Sequence, residues 1–182
     1  MNVKGSALSA RVQYVRDQGV PQYARLLNEL SAPTRVAVEA GFDADRWYPF
    51  AMFVELSEVI DRQLGAGDLG LCVELGRYAC DTNLTTLYRF LFKVGNIHFL
   101  IRRAAAAWHI HYDEGAMHVL EETPRSVRFA VEGIQQPHRA HCLSVKGWMT
   151  EAARISGRHI VDVSETCRLL GDERCTFGMA WE

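Results

Sequence analysis

Over the first 107 residues, apolar side chains recur every three or four positions, the period of a helix with one covered face. Val12 and Val15 share one side of a predicted helix over 9–18 that stops at Gly19. Pro21 opens a second helix over 21–30, at a first-turn position where its missing N–H costs nothing. A short helix over 33–40 ends at Gly41. The longest pattern is 49–64, where Phe50, Phe53, Val54, Leu56 and Ile60 keep helical spacing with charges between them. The break Gly65-Ala66-Gly67-Asp68 offers Asp68 as an N-cap, and 69–80 resumes as helix with Leu71, Leu75 and Tyr78 inward. Segments 85–92 and 96–107 follow, divided by Gly95.

Near Trp108 the period changes. Residues 109–112 and 116–121 read as a hairpin across the acidic turn Asp113-Glu114-Gly115. In 126–132, Val127, Phe129 and Val131 alternate with Ser126, Arg128 and Ala130, which predicts a strand with one buried face. Helical spacing returns over 137–155, with Cys142, Val145, Trp148, Met149 and Ala152 on one side and Gly157 at the end. The final hairpin joins 158–169 to 175–181. A helical block, a small antiparallel sheet with one long crossing helix and a C-terminal hairpin make an α+β architecture, not a wound parallel sheet. The chain divides into an N-terminal helical extension, 1–48, and an α+β domain, 49–182.

A formal net charge of −2 on 182 residues provides no field to recruit nucleic acid or anionic lipid. The basic residues are spread singly, with Arg102-Arg103 the densest spot. No apolar run approaches the roughly 20 residues of a membrane span. The N-terminus lacks the apolar core of a secretion signal, so a cytoplasmic protein is expected. There is no Gly-rich phosphate cradle, no GxSxG and no HExxH. His109 and His111 fall on one face of the predicted strand, where a solvated strand end is the simpler reading. No enzymatic role is expected.

Five cysteines, an odd number without a secretion signal, argue against a disulfide framework. Cys72 and Cys80 lie in a helical pattern and read as small buried residues. Cys167 and Cys175 flank the last turn. If Gly171-Asp172-Glu173 is a three-residue loop, Leu169 pairs with Cys175, and the two thiols lie diagonally on one face. Cys142, near the start of the preceding helix, is placed to join them. Glu165, on the same strand face as Cys167, or His141 is the candidate fourth ligand of a tetrahedral, structural zinc site. Three unmetallated buried cysteines are the competing reading.

The residues Cys167, Gly171, Asp172, Cys175 and Phe177, preceded by the helix ending at Gly157, resemble the C-terminal hairpin of 4-vinyl-reductase-type domains. These belong to the ligand-binding superfamily shared by NO-signalling and Golgi-transport proteins, which includes TRAPP-like subunits. The resemblance covers 108–182 and is loose over the helical half. It implies a zinc held by Cys142, Cys167, Cys175 and an acidic residue; the family's acidic position is Ser164 here, one place from Glu165. It also implies an apolar chamber between helices and sheet, with Phe53, Tyr78, Phe99, Trp108, Phe129 and Trp148 near it. His98, on the apolar run NIHFLI, could orient a phenol or carboxylate, although a satisfied core histidine is the plainer reading.

On this reading the chain is a non-enzymatic sensory module. It binds a small apolar or aromatic molecule, forms a homodimer and passes its signal to a partner protein. A TRAPP-like adaptor without ligand is the alternative. A haem-based gas sensor of the same superfamily, or a reductase, is the second alternative: His98 stands mid-chain where those sensors have a haem-ligating histidine, but their Tyr-x-Ser-x-Arg element is missing. The nearest string, Pro124-Arg125-Ser126-Val127-Arg128, lacks the tyrosine.

Overall fold

The computed structural model describes residues 1–83, 102, 103, 105 and 108–182. His98 and Phe99 lie outside the described residues. The α+β class is as expected: a helical block is followed by an antiparallel sheet and one long helix.

Strand β1 (Asn2–Lys4) leads directly into helix α1 (Gly5–Asp17), followed by α2 (Val20–Glu29) and α3 (Ala32–Ala40). A second short strand, β2 (Trp47–Pro49), pairs antiparallel with β1 and leads into α4 (Phe50–Leu64) and α5 (Leu71–Asn83). Leu8, Val12 and Val15 of α1 share one core with Phe53, Leu56 and Ile60 of α4 and Leu75 of α5. Residues 1–48 thus contribute to the same hydrophobic interior as the helices after them. The turn between α4 and α5 is held by Asp61, fully buried, whose carboxylate accepts from the backbone N–H groups of Leu69 (2.8 Å) and Leu71 (2.9 Å). It satisfies donors that a helix start leaves without intrahelical partners.

The hairpin expected across Asp113-Glu114-Gly115 does not form. Residues Trp108–His111 are a short helix, α6. The alternation of Trp, His, Ile and His mimics a strand, but one helical turn is enough to bury Trp108 and leave Ile110 outside. The hairpin is instead β3 (Ala116–Thr123) with β4 (Ser126–Glu132), turning at Pro124-Arg125. Helix α7 (Arg139–Ile155) follows, then β5 (Ile160–Thr166) and β6 (Cys175–Trp181). The sheet order is β3-β4-β6-β5, antiparallel throughout. Val127, Phe129 and Val131 of β4 and Cys175, Phe177, Met179 and Trp181 of β6 point to one covered face, with the period of two that strand geometry imposes.

Helix α7 fills the space between sheet and helices. Cys142, Val145, Met149 and Ala153 face the sheet, while Ala140 and Leu143 face the helical core. Its crossing with α5 is very close. A Cβ on Gly76 would lie 2.0 Å from the Ser144 carbonyl oxygen, and one on Gly147 would lie 1.9 Å from that of Val73. Backbone meets backbone at both points, so only glycine fits.

Candidate ligand-binding site

A cavity of about 780 Å³, its solvent-facing mouth included, lies between α1, α5, α6, α7 and the start of β3. Trp108 of α6, Met117 of β3, and Val145, Trp148 and Met149 of α7 give it apolar walls. Phe53 reaches it from α4. Apolar walls with a few polar groups among them have the character of a small-molecule site. Phe53, Trp108 and Trp148, expected near an apolar chamber, line this cavity. Tyr78 does not: it packs edge-on against Tyr14, with ring centroids 5.3 Å apart, and donates to Asp17. Phe129 is in the sheet's core and does not line the cavity.

The residue that sequence reasoning missed is Arg11, which lines the cavity at 1% exposure. Its Nε donates to Ser57 Oγ (2.9 Å), Nη1 to the Ala7 carbonyl (3.0 Å) and Nη2 to Ser144 Oγ (2.7 Å). The Phe53 ring covers one face, 3.6 Å from Cζ. Both hydroxyls are oriented by donating to a carbonyl in their own helix, Ser57 to Phe53 and Ser144 to Ala140, each at 2.7 Å. Among the described residues no carboxylate pairs with Arg11. Its acidic neighbours are Tyr112 and Cys72. Burial pushes the Tyr112 phenol up to about 12 and the Cys72 thiol up to about 11, so both are neutral near pH 7. Burial also draws the guanidinium down to about 10, which still leaves it cationic. A buried charge balanced only by neutral dipoles costs several kcal/mol of desolvation.

Two histidines lie close by. His111 lines the cavity, and burial, then Lys4, hold its imidazole below the ordinary range, so it is neutral. His141, at 2% exposure, is enclosed by the rings of Phe50, Phe53, Trp108 and Tyr112, the nearest centroid 4.7 Å away. Its Nε2 has no hydrogen-bond partner. Burial, with the charges of Arg11 and His138, lowers it to about 3. As pH falls through about 6.5 the unfolded chain takes up this proton and the folded chain does not. Stability present above that pH is therefore lost below it, at up to roughly 1.4 kcal/mol per pH unit. Urea midpoints for the wild type and His141→Leu between pH 7 and pH 5 test this. The wild type is expected to lose stability more steeply by about one proton, and equal slopes refute the assignment.

The structure also brings together the three cysteines expected to converge. Cys142 Sγ lies 4.0 Å from Cys175 Sγ and 3.9 Å from Cys167 Sγ, all buried and all free. The register differs from expectation. β5 and β6 pair Thr166 with Thr176, and the connection is a longer one containing a 3-10 turn over Arg168–Leu170. Continuing that ladder sets Cys167 directly opposite Cys175, not diagonal to it. Asp172 accepts from the Cys167 N–H at 2.7 Å and braces the connection. Glu165 is not part of the cluster. It is held by Arg139 and, at 3.5 Å, by Lys146. His141 is also outside it, in its aromatic cage. Burial and the neighbouring sulfurs push the Cys142 thiol far up, so it is protonated at neutral pH.

No family model and no curated protein sequence matches the chain. Solved structures do. The Fe(II) unliganded H-NOX protein from K. algicida superposes with a TM-score of 0.68 at 12% identity, covering 98% of this chain and 96% of that one. The S. oneidensis H-NOX protein in its Fe(II)NO state gives 0.65 at 15%, covering 98% and 99%. An oxygen-binding H-NOX domain related to soluble guanylate cyclases gives 0.68 at 10%, covering 98% and 95%. The chain has the H-NOX fold.

This overturns the resemblance to 4-vinyl-reductase-type and TRAPP-like domains. The Cys-Gly-Asp-Cys hairpin is a local pattern of a few residues, whereas the likeness to H-NOX proteins extends over nearly the whole chain. The expected structural zinc is corrected with it. The proteins sharing this fold were solved with Fe(II), and the acidic fourth ligand is engaged by two cations instead. No helix among the described residues is long and apolar enough to cross a membrane.

Proposed function

We propose that this chain is a non-enzymatic sensory module whose small-molecule ligand occupies the cavity between α1, α5, α6 and α7. The observation that carries this reading is the pairing of apolar, tryptophan-lined walls with the buried cation of Arg11. Packing alone has no use for an unbalanced Arg11, whereas a ligand site commonly sets a few polar groups in an apolar wall. The ligand would touch α5 and α7 beside their glycine crossing, so occupancy would bias how those helices pack. A signal would then pass to a partner protein through their outer surfaces.

Haem is the occupant with precedent in this fold, since one structure that shares it concerns haem redox potential tuned by porphyrin distortion. The donors present fit it. His111 is a neutral imidazole at the cavity wall, Trp108 and Trp148 are flat apolar surfaces, and Arg11 is a cation for a carboxylate side chain. His98, outside the described residues, is the other candidate imidazole. Arg11 also supplies a carboxylate partner that the missing Tyr-x-Ser-x-Arg element does not. When bound, haem would contribute an iron able to take up a diatomic gas. The chain's own share is to exclude water, orient the ring and hold the carboxylates.

Titration of purified protein with hemin tests the reading. The expected result is a shifted Soret band that saturates at one haem per chain, with quenching of the two cavity tryptophans. A spectrum that stays that of free hemin removes haem as occupant. If apolar fluorescent probes also fail to bind, the cavity is not a ligand site.

A further inference from the structure

We infer that Arg11 is the specificity determinant of the cavity, and that the ligand it selects is an apolar or aromatic carboxylic acid. The inference rests on the reading of the cavity as a ligand site, and adds the chemical class of the occupant.

A guanidinium has five N–H groups, and Arg11 commits three of them to Ser57, Ala7 and Ser144. One N–H remains on each terminal nitrogen, Nη1 and Nη2. Those two nitrogens present the geometry that a carboxylate accepts in bidentate fashion. The three existing bonds come from α4, α1 and α7, so the group is anchored by three helices and cannot swing out to water. The Phe53 ring closes one face. A cation fixed this firmly, lining a cavity, needs a counter-charge that the described residues do not provide.

The remaining lining decides what else the ligand carries. Phe53, Met117, Val145 and Met149 make most of it apolar; beside Arg11 and Ser144 its polar groups are Asn83, His111, Tyr112 and the Trp148 indole, the Trp108 indole N–H being already donated to the Glu114 carbonyl at 3.0 Å. A single carboxylate on an apolar body matches one fixed cation in a mostly apolar wall, whereas a phosphate or a sugar carries more polar atoms than these few scattered groups pair. Two sources share that chemistry: the carboxylate side chain of haem and a free aromatic or long-chain acid.

The test compares each acid with its ester, read by quenching of tryptophan fluorescence and by calorimetry. Hemin is set against hemin dimethyl ester, and 1-pyrenebutyrate against its methyl ester. Each pair is titrated into wild type and Arg11→Met. The acid is expected to bind the wild type about 10- to 100-fold more tightly than its ester, the range for hydrogen bonds to a charged group. In Arg11→Met the two are expected to bind alike. The melting temperature of the ligand-free variant should equal or exceed that of wild type, since an unbalanced buried charge has been removed. A preference shown only by the hemin pair supports haem as the source, and one shown by the pyrene pair supports a free acid. Acid and ester binding the wild type equally overturns the role of Arg11 while leaving the cavity reading intact. A preference that survives in folded Arg11→Met overturns it as well. If no compound binds the wild type, the cavity reading fails and this inference fails with it. Should Arg11→Met not fold, Arg11→Gln, which keeps an amide donor toward the two serines, carries the same comparison.

Discussion

Replacement of Gly147 by alanine is expected to lower the stability of the fold by about 3 kcal/mol, the upper range for forcing extra volume into a packed interior. For a domain of this size that corresponds to a fall in Tm of roughly 6–12 °C. The methyl group would stand 1.9 Å from the Val73 carbonyl oxygen, a backbone atom that no rotamer change can move. Helices α5 and α7 would have to part, and with them the cavity wall formed by Ala79, Val145 and Trp148. Gly76→Ala meets the Ser144 carbonyl in the same way. Because one separation of the helices relieves both clashes, the double variant should cost clearly less than the sum of the singles. Denaturant unfolding of the three variants measures this. A Gly147→Ala protein within 1 kcal/mol of wild type would mean that the two helices do not cross so closely.

Most of the architecture was visible in residue patterns whose cause is local. The spacing of Phe53, Leu56 and Ile60 could bury a helix face, and α4 does so. The alternation of Val127, Phe129 and Val131 could cover one strand face, and β4 does so. What failed depended on partners far away in the chain. Asn2–Lys4 and Trp47–Pro49 are too short to show a period, and they become strands only because the fold sets them side by side. The reading of 109–112 as a strand followed a true alternation, which burial of Trp108 beneath β3 overrode. Cys167 and Cys175 share a face as their parity requires, but the 3-10 turn between them set a register that turn length alone misjudged. Arg11 was readable in principle. It stands three positions after Leu8 and four before Val15, on the stripe that α1 buries. A charge at such a position is a sign of function, because a solvated helix face does not continue through a buried stripe. Composition does not single it out, because the arginines of this chain are spread along its whole length.

The second large effect is expected at Phe53, where stability and the site meet. Its ring is buried at 1% exposure, stacks on Phe50 with centroids 5.3 Å apart, meets His141 at 5.9 Å and covers the Arg11 guanidinium at 3.6 Å. Phe53→Ala should cost about 3–5 kcal/mol, the sum of lost transfer energy and the cavity left behind. It should sit at the upper end of that range, because the deletion also uncovers a cation that the ring shields. The new space adjoins the cavity it lines, so the variant should be rescued by molecules that the wild type gains little from. Indole or benzoate is expected to raise the melting temperature of Phe53→Ala by several degrees more than that of wild type, through binding to the folded state alone. Benzoate should outperform benzene, since only the acid can also reach Arg11. A Phe53→Ala protein that loses less than 1 kcal/mol, or that neither compound stabilises, would show that this ring is not the common wall of the helical core and the ligand cavity. The rescue matters more than the loss, because any large core residue destabilises when truncated, whereas recovery by an aromatic acid ties the vacated volume to a guanidinium at its edge.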